Sequence, residues 1–480
     1  MSRKTAALVA LFCVSLGLRV AAVQLLGGPI GRPQTYEHGE IARNLLAGRG
    51  FTVMYLGVEG PTSQQAPWAP LLVAGAYAVA GVDTPAAILL VQLLQCIAGS
   101  LLVLTVVWLA WLLVPDRPAV GWIAGCGAAV YPPHIYMVTH VQVVTWAALA
   151  ITLLLAIALS TTSANWRRSA LLAGLVGGWL LMIEPILALA LPVAAMVVGC
   201  AVLRGAKRTL GVDMAPDRLR EDGNFKLRSA FAAMTLMTVT TLAVATPWLV
   251  RNYRVHGEMV FVKSTFGYAF WQGNHPLSWG TDKIPKPSVE DARRNHNGTL
   301  AERNAAMWEA RHETLYIDDV LLKPYGYARF QGLSEPERSR VLGREASAAI
   351  AADPARYAYL CLKRLQYFLL FDETNPKASD TIYRVSTLSW LTLSVAGLVI
   401  GRRRWRIWWP TIAVFLAVMC FHVLTIVSAR FRIPLEPLSF VWCATAVEAI
   451  ALPLVAWLGV APRQLVSQAR CFLATSRTAR

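Results

Sequence analysis

The sequence predicts an all-α polytopic membrane protein of about ten transmembrane helices. Juxtamembrane helices are expected at the outer face in the first loop, followed later by a mainly helical outer segment. Three observations predict this. Of 480 residues, 56% are hydrophobic and only 15% charged, against about 45–50% and about 25% in average soluble domains. The apolar residues come in long blocks, several of which reach the ~20 residues a helix needs to cross a bilayer. The 45 Lys and Arg outweigh the 28 Asp and Glu to give a net charge of +17, and basic residues collect in cytoplasmic loops, where they hold a topology. This composition excludes a disordered chain and argues against an ordinary soluble enzyme. No basic run carries a nucleic-acid-binding module, so nucleic acid is not an expected partner. The eight cysteines, at 13, 96, 126, 200, 361, 420, 443 and 471, form no CxxC or Cys/His cluster, so nothing points to a zinc site or a disulfide framework.

The first element covers residues 6–27. A short basic start, MSRK, precedes it and no small-x-small cleavage site closes it, so it reads as a retained helix and not a cleaved signal. Further spans are predicted at 86–113, 119–138, 143–162, 169–183, 186–203, 229–250, 385–401, 408–428 and 437–459. The stretch 67–82, PWAPLLVAGAYAVAGV, is short and carries Pro67 and Pro70. Parity decides it. If it does not cross and the first helix runs from inside to outside, then Arg167-Arg168, the basic stretch from Arg204 to Arg228, Arg402–Arg406 and the basic C-terminal tail all fall inside. If it crosses, all fall outside, against the positive-inside rule. The stretch is therefore expected as an interfacial or re-entrant hairpin at the outer face. Residues 169–203 become two short spans turning near Glu184-Pro185, and both termini are cytoplasmic. The Ala/Arg-rich composition and the absence of organelle signals point to a bacterial plasma (inner) membrane.

Three regions follow. Residues 1–250 form an N-terminal transmembrane module with a first outer loop at 28–85. Residues 251–384 form an outer segment, and 385–480 hold the C-terminal transmembrane helices and a cytoplasmic tail. Within the outer segment Ser334-Glu335-Pro336-Glu337 has the form of a capping box. Asp353-Pro354 places a capping Asp before a first-turn Pro. The helix it opens continues into YAYLCLKRLQYFLLF, too basic in its middle for an easy span and suited to the interface.

The first loop contains YEHGEIARNLLAGRGF, residues 36–51. Wound as a helix it puts Glu37, Glu40 and Asn44 within about 60° of one face, with Ile41, Ala42, Leu45 and Leu46 on the other side and Gly48 and Gly50 ending it. Two carboxylates on an outer surface helix suit general-base work or cation binding; the plain alternative is an amphipathic interfacial helix with solvated acids. Residues 247–275 begin with Pro247-Trp248, read as the end of a span, and bring Arg251, Arg254 and Lys263 to the outer face. SARFRIPLEP, residues 428–437, brings Arg430 and Arg432. Arginines there run against the positive-inside tendency and need a partner. Guanidinium matches phosphate in a bidentate way, whether that of a bound lipid-linked ligand or of the surrounding membrane lipids. Glu184, at the turn of a short hairpin, is a candidate sugar contact or a partner for Arg251 or Arg430. His38, His140 and His256 read as ordinary hydrogen-bonded histidines before metal ligands. The tryptophans read as interface anchors.

The pattern Y-E-x-G-x-I-A-R-N-L-L-A-G-R-G-F, followed by GPTSQQAPWAPLLVAGAY, resembles the first outer loop of membrane glycosyltransferases of the C superfamily. The nearest group is the bacterial glycosyltransferase family 39 proteins, protein mannosyltransferase-like and aminoarabinose-transferase-like. AAVYPPHIY (128–136), the 247–274 stretch and ARFRIPLEP resemble later motifs of that family in the same order. The resemblance implies an enzyme that takes a sugar from a polyprenyl-phosphate-linked donor. The sugar passes at the outer membrane face to a hydroxyl of a protein, lipid or glycan acceptor, usually with inversion. It implies Glu37 as base and Glu40 as second candidate. Arg251, Arg254, Lys263, Arg430 and Arg432 would bind the donor phosphate, and Asn44, Glu184, His140 and Asn274 would contact sugar or acceptor. The chain departs from many relatives in two places: Gln34 and Thr35 stand where an Asp occurs, and His140-Val141-Gln142-Val143-Val144 lacks a second-loop acid. The resemblance makes no cofactor certain and leaves a divalent metal open, with Glu40 as a cation ligand if not the base, and His38, His140 and His256 as further possible ligands. Other readings of the same composition are a secondary transporter or lipid flippase, which paired halves would favour, and a non-catalytic glycolipid-binding relative.

Overall fold

The computed structural model describes residues 2–26, 35–209, 216–284, 298–299, 301–302, 305–306, 315–317, 319, 326–375, 378 and 380–457. Gln34, Cys471 and the basic C-terminal tail lie outside the described residues, as do the side chains of 204–225. The chain opens with α1 (Arg3–Leu26). The first loop holds α2 (Tyr36–Leu46), a hairpin of β1 (Thr52–Tyr55) and β2 (Val58–Pro61), and α3 (Trp68–Ala80). Then come α4 (Pro85–Leu113), α5 (Pro118–Val130), α6 (Pro132–Met137), α7 (Val144–Leu159), α8 (Trp166–Ile183), α9 (Ala190–Thr209) and α10 (Pro216–His256). The following segment carries α11 (Phe266–Asn274), the two-residue strands β3 (Lys283–Ile284) and β4 (Leu315–Tyr316), α12 (Glu335–Ala352) and α13 (Pro354–Leu369). The chain closes with α14 (Thr381–Ile400), α15 (Trp405–Leu424) and α16 (Glu436–Trp457).

Every predicted span is helical, with two corrections. The span expected over 119–138 is broken, because Pro132 and Pro133 lack the N–H groups that would continue α5; α6 starts there instead. Pro247 does not end α10, which runs on to His256 and stops where Gly257 adopts φ +70°, a left-handed C′ position suited to glycine. The bend expected near Glu184 is present: α8 ends at Ile183, Glu184 is extended, and a 3-10 turn over Pro185–Leu189 leads into α9. Both expected caps form. Ser334 accepts from the Glu337 N–H while the Glu337 side chain reaches back to the Ser334 N–H, and Asp353 accepts from the Arg356 N–H at 2.9 Å.

Seven helices among the described residues are long and apolar enough to cross a membrane; α5 and α7 are apolar but shorter. The chain is a multi-pass α-helical membrane protein. Its main core is built by α4, α5, α7, α8, α9, α14, α15 and α16, with α7 at the centre. One end of the bundle is basic. Arg3 and Lys4 share a cavity there with Trp111, Pro115 and Pro118, Arg404 holds Asp116 at 2.6 and 2.8 Å, and Arg117 holds Glu448 at 3.1 Å. Leu159, Cys200 and Arg406 meet at a second cavity. The start of α1 and the end of α4 therefore lie together, and α1 packs antiparallel on α4. The chain leaves α1 and enters α4 at the opposite end of the bundle, so the stretch between them makes no net crossing. α3, with 13 residues, is about 20 Å long against a hydrocarbon core of about 30 Å. It is one helix packed on α2 and α4, not the hairpin expected from the sequence.

Candidate active site

The loop-bearing end is assembled from four distant stretches. α2 begins under strain, since Tyr36 sits at φ +52°, a conformation that costs a bulky residue on the order of 1 kcal/mol or more. The surroundings hold it there. A side chain at Gly39 would overlap Thr35 and the Tyr77 hydroxyl. The Tyr77 hydroxyl donates to Asp83 at 2.6 Å, and Arg43 pairs with Asp83 at 2.6 Å. The far end of α2 is tied to the hairpin: Asn44 Nδ2 donates to the Thr52 carbonyl at 2.9 Å, and Glu40 Oε1 accepts from the Met54 N–H at 2.9 Å.

The loop is then fastened to α10 and α12. Glu335 is buried. It accepts from the Thr62 hydroxyl at 2.6 Å, the Ser63 N–H at 2.7 Å and the Ser264 hydroxyl at 2.5 Å. Arg251 donates to the carbonyls of Thr62 (2.5 Å) and Phe51 (3.1 Å) and lies over the Trp248 ring. Asn252 accepts from the Ser63 hydroxyl at 2.8 Å. Glu335, Arg251 and Asn252 are thus each paired across the frame, as burial of a charge or amide requires.

Onto this frame four charged or titratable side chains converge. Lys263, just past α10, pairs with Glu184 at 3.2 Å. His38, on α2, is 5% exposed and its Nδ1 has no hydrogen-bond partner. Burial pushes the imidazole pKa down to about 3, with Lys263 and Arg430 pressing the same way and Glu184 opposing. The charges that bear on this imidazole come from three separate segments of the chain. Arg430 is exposed and lies over Phe431, leaving its guanidinium available. Glu37, the neighbour of His38, is half-buried and makes no hydrogen bond or ion pair among the described residues. Arg254 is exposed on the last turn of α10.

Other expected contacts are taken up inside the protein. Arg432 is fully buried, bonded to Glu436 at 2.8 Å, to the carbonyls of Phe368 and Leu369 at 3.0 Å, and to Thr387 at 3.2 Å. Arg251 is likewise bonded to loop carbonyls through both terminal nitrogens. Asn274 donates to the Phe270 and Thr425 carbonyls and accepts from Arg364 at 2.6 Å. His140 shares its Nδ1 with Thr139 (2.9 Å) and the Tyr136 carbonyl (3.2 Å). Asn44 bonds Thr52 within the first loop, His140 bonds within its own turn, and Asn274 ties distant segments; in each case a buried amide or imidazole serves the nearest carbonyl or hydroxyl. Glu184 pairs with Lys263 and not with either expected arginine.

Sequence reasoning missed three features. His38 was visible only as a lone histidine. Glu335 was noted as part of a capping box, and its carboxylate turns out to serve the first loop. The pair His134–Glu436, Nε2 to Oε2 at 3.3 Å, joins AAVYPPHIY to ARFRIPLEP; the shared apolar setting of the two motifs was its only signal. Among the described residues no group of three or more His, Cys, Asp or Glu side chains is placed to hold a metal ion.

No family model and no curated protein matches the chain. Among solved structures, the oligosaccharyltransferase of Archaeoglobus fulgidus in its apo form matches with a TM-score of 0.53 and 14% identity over 98% of this chain and 54% of that one. The same enzyme, AglB, in complex with an inhibitory peptide and a dolichol-phosphate matches with a TM-score of 0.54 and 14% identity over 98% and 55%. ArnT from Cupriavidus metallidurans bound to undecaprenyl phosphate also matches, at a TM-score of 0.36 and 15% identity over 94% and 81%, too low a score to carry weight. The chain spans about half the length of the oligosaccharyltransferase. At these identities the likeness is one of fold alone: the chain is folded like about half of the archaeal oligosaccharyltransferase.

Proposed function

We propose that the protein is an integral-membrane glycosyltransferase that moves a sugar from a polyprenyl-phosphate donor to an acceptor hydroxyl, with inversion, at the loop-bearing end of the bundle. One observation carries the reading. Glu37 is half-buried on α2 and makes no hydrogen bond or ion pair among the described residues, and the positive charges that bear on its neighbour His38 come from Lys263 and Arg430, segments far apart in sequence. A phosphate site next to a free carboxylate is what such a transfer needs. The acceptor oxygen attacks the anomeric carbon while Glu37 takes its proton. The bond from that carbon to the phosphate oxygen breaks, its electron pair stays on the phosphate, and the two cations stabilise the charge that develops there. Arg254 extends the basic rim. Glu40 is the second candidate base, with one oxygen already engaged by Met54. The dolichol-phosphate and peptide bound to the archaeal oligosaccharyltransferase support a polyprenyl-phosphate donor and admit a protein acceptor.

In this reading the loop-bearing end is the outer face of a bacterial plasma membrane, the basic end is cytoplasmic, and α5, α7 and α8 cross along with the seven longer helices. Residues 28–85 and 251–384 then share the outer side. The test is sugar release from labelled polyprenyl-phosphate donors by purified protein, with extracted membrane as acceptor pool. Glu37→Gln is expected to lower kcat by about 10²–10⁴-fold, the range for a general base, with donor binding retained. Arg430→Ala is expected to lose donor binding. Wild-type protein that binds several such donors and consumes none would overturn the transferase reading.

A further inference from the structure

The basic end of the bundle holds a cavity of about 620 Å³, far from the loop-bearing end. That volume lies within the range of ligand sites. The cavity opens where the first turn of α1, the last turn of α4 and the start of α5 meet. The ends of spans lie at the level of lipid headgroups, where tryptophans collect. Lys4 Nζ sits 3.8 Å from the centre of the Trp111 ring, a cation–π contact that holds the ammonium in the cavity. Arg3 lines the same space. Trp111 is fixed in turn, since its Nε1 donates to the Pro118 carbonyl at 3.1 Å and its ring meets Trp122 edge-on at 5.5 Å. Three helices therefore build the site around its two cations.

The charge there is unmatched. The carboxylates described at this end, Asp116 and Glu448, are held by Arg404 and Arg117. Neither Arg3 nor Lys4 makes an ion pair among the described residues. A guanidinium grips two phosphate oxygens at once, and an ammonium adds a point charge beside it. Lys4 already covers the Trp111 face, so that ring is closed to a choline-type cation. Along α1, Val14 and Leu18 are exposed on the face that carries Ala7 of the cavity wall, a surface for an acyl chain. We propose that this cavity binds the headgroup phosphate of an anionic phospholipid, drawn from the leaflet at the basic end and held by Arg3 and Lys4. The lipid then braces α1, the least buried of the seven long spans, against α4 and α5. This site is separate from the transfer reaction and does not rest on it.

The experiment titrates full-length protein in neutral detergent with phosphatidylglycerol, phosphatidylcholine and inorganic phosphate. Bound lipid is counted by native mass spectrometry and Tm is followed alongside. Wild type is expected to bind phosphatidylglycerol about 10-fold or more tightly than phosphatidylcholine, the scale set by two basic residues at a membrane surface, and to gain Tm with phosphatidylglycerol alone. Arg3→Gln/Lys4→Gln is expected to lose that preference. Ala7→Phe fills the cavity from an exposed position without changing charge, and is expected to lose it as well. Arg167→Gln/Arg168→Gln removes two exposed charges at the α7–α8 turn, outside the cavity, and is expected to keep it. Equal binding of the two lipids by wild type overturns the proposal, as does a preference that survives in Arg3→Gln/Lys4→Gln. Loss in Arg167→Gln/Arg168→Gln to the same extent makes the effect one of overall surface charge and overturns it. Loss on charge removal but not in Ala7→Phe places the lipid outside the cavity and also overturns it. Inorganic phosphate that binds as tightly as phosphatidylglycerol, and is lost in the same variants, makes the ligand a free anion and overturns the lipid assignment.

Discussion

Arg430 and Arg432 lie two residues apart and have opposite fates. Arg430 is exposed at the site, whereas Arg432 is fully buried against Glu436 and the carbonyls that end α13. Those carbonyls are the unpaired C-terminal groups of a helix, where a cation is favoured. Removing one member of a buried pair leaves the other uncompensated, at a cost of about 3–5 kcal/mol. Arg432→Met is therefore expected to lower Tm sharply, and the double change Arg432→Met/Glu436→Leu to recover part of the loss. Equal Tm values for wild type and Arg432→Met would show that the pair carries no stability. His38 adds a pH effect. Its folded pKa of about 3 lies below the ordinary ~6.5 of the unfolded chain. Between those values the unfolded state binds a proton that the folded state does not, so stability rises with pH across that window and is lost as pH falls. The slope is at most about 1.4 kcal/mol per pH unit. Unfolding of wild type and His38→Gln at pH 4.5 and 7 checks it: the wild type should lose more on acidification. The sequence showed that charged residues gather at this end. Which of two nearby arginines is buried depends on the carbonyls of α13, more than 60 positions away, and a local pattern does not carry that information.

At the scale of elements, helices were legible because their apolar periodicity and caps are local. Ser334-Glu335-Pro336-Glu337 and Asp353-Pro354 form as read. The hairpin β1–β2 was missed, because its four-residue strands lie in a loop whose apolar content is dominated by α3. Its turn signal is Leu56-Gly57, both at positive φ (+51° and +75°), the geometry of a two-residue type I′ connection. Gly57 is fixed twice over: by that φ, and by Tyr327, into which a Cβ would run. Gly57→Ala is expected to destabilise the first loop by about 1 kcal/mol or more. Hydrogen exchange should show it as faster exchange over 52–61 with the bundle unaffected. Glu335→Ala tests the fastening of the same loop from the other side. Three donors lose their acceptor, at about 1–3 kcal/mol for each that stays buried. Loosening is expected across 62–64 and at Ser264 together, and if only α12 loosened, Glu335 would be a cap and nothing more.

At the scale of the whole molecule, the positive-inside argument and the packing of α1 on α4 agree on one point, that the stretch between them makes no net crossing. The sequence argument placed α3 off the crossing list by counting basic loops. The structure does so by bringing Arg3 and Lys4 beside Trp111 and Pro118, which fixes both flanking helices. Distance, not charge, then forbids a net crossing, and the broken span at Tyr131–Pro132 leaves the alternation intact because α6 is only six residues long. The outcome is measurable in a cysteine-free background. Gly60→Cys adds a side chain where nothing lies within 4 Å, and Val82→Cys replaces a residue that is 47% exposed; one precedes α3 and the other follows it. Both are expected to react with a membrane-impermeant thiol reagent from the same side in intact cells. A Cys at Arg403 should react only after permeabilisation. Labelling of Gly60→Cys and Val82→Cys from opposite sides would make α3 a span. It would also reverse every later helix and move Glu184, Lys263 and Arg430 away from the side of the membrane that His38 occupies, so the convergence on which the function rests would fail with it.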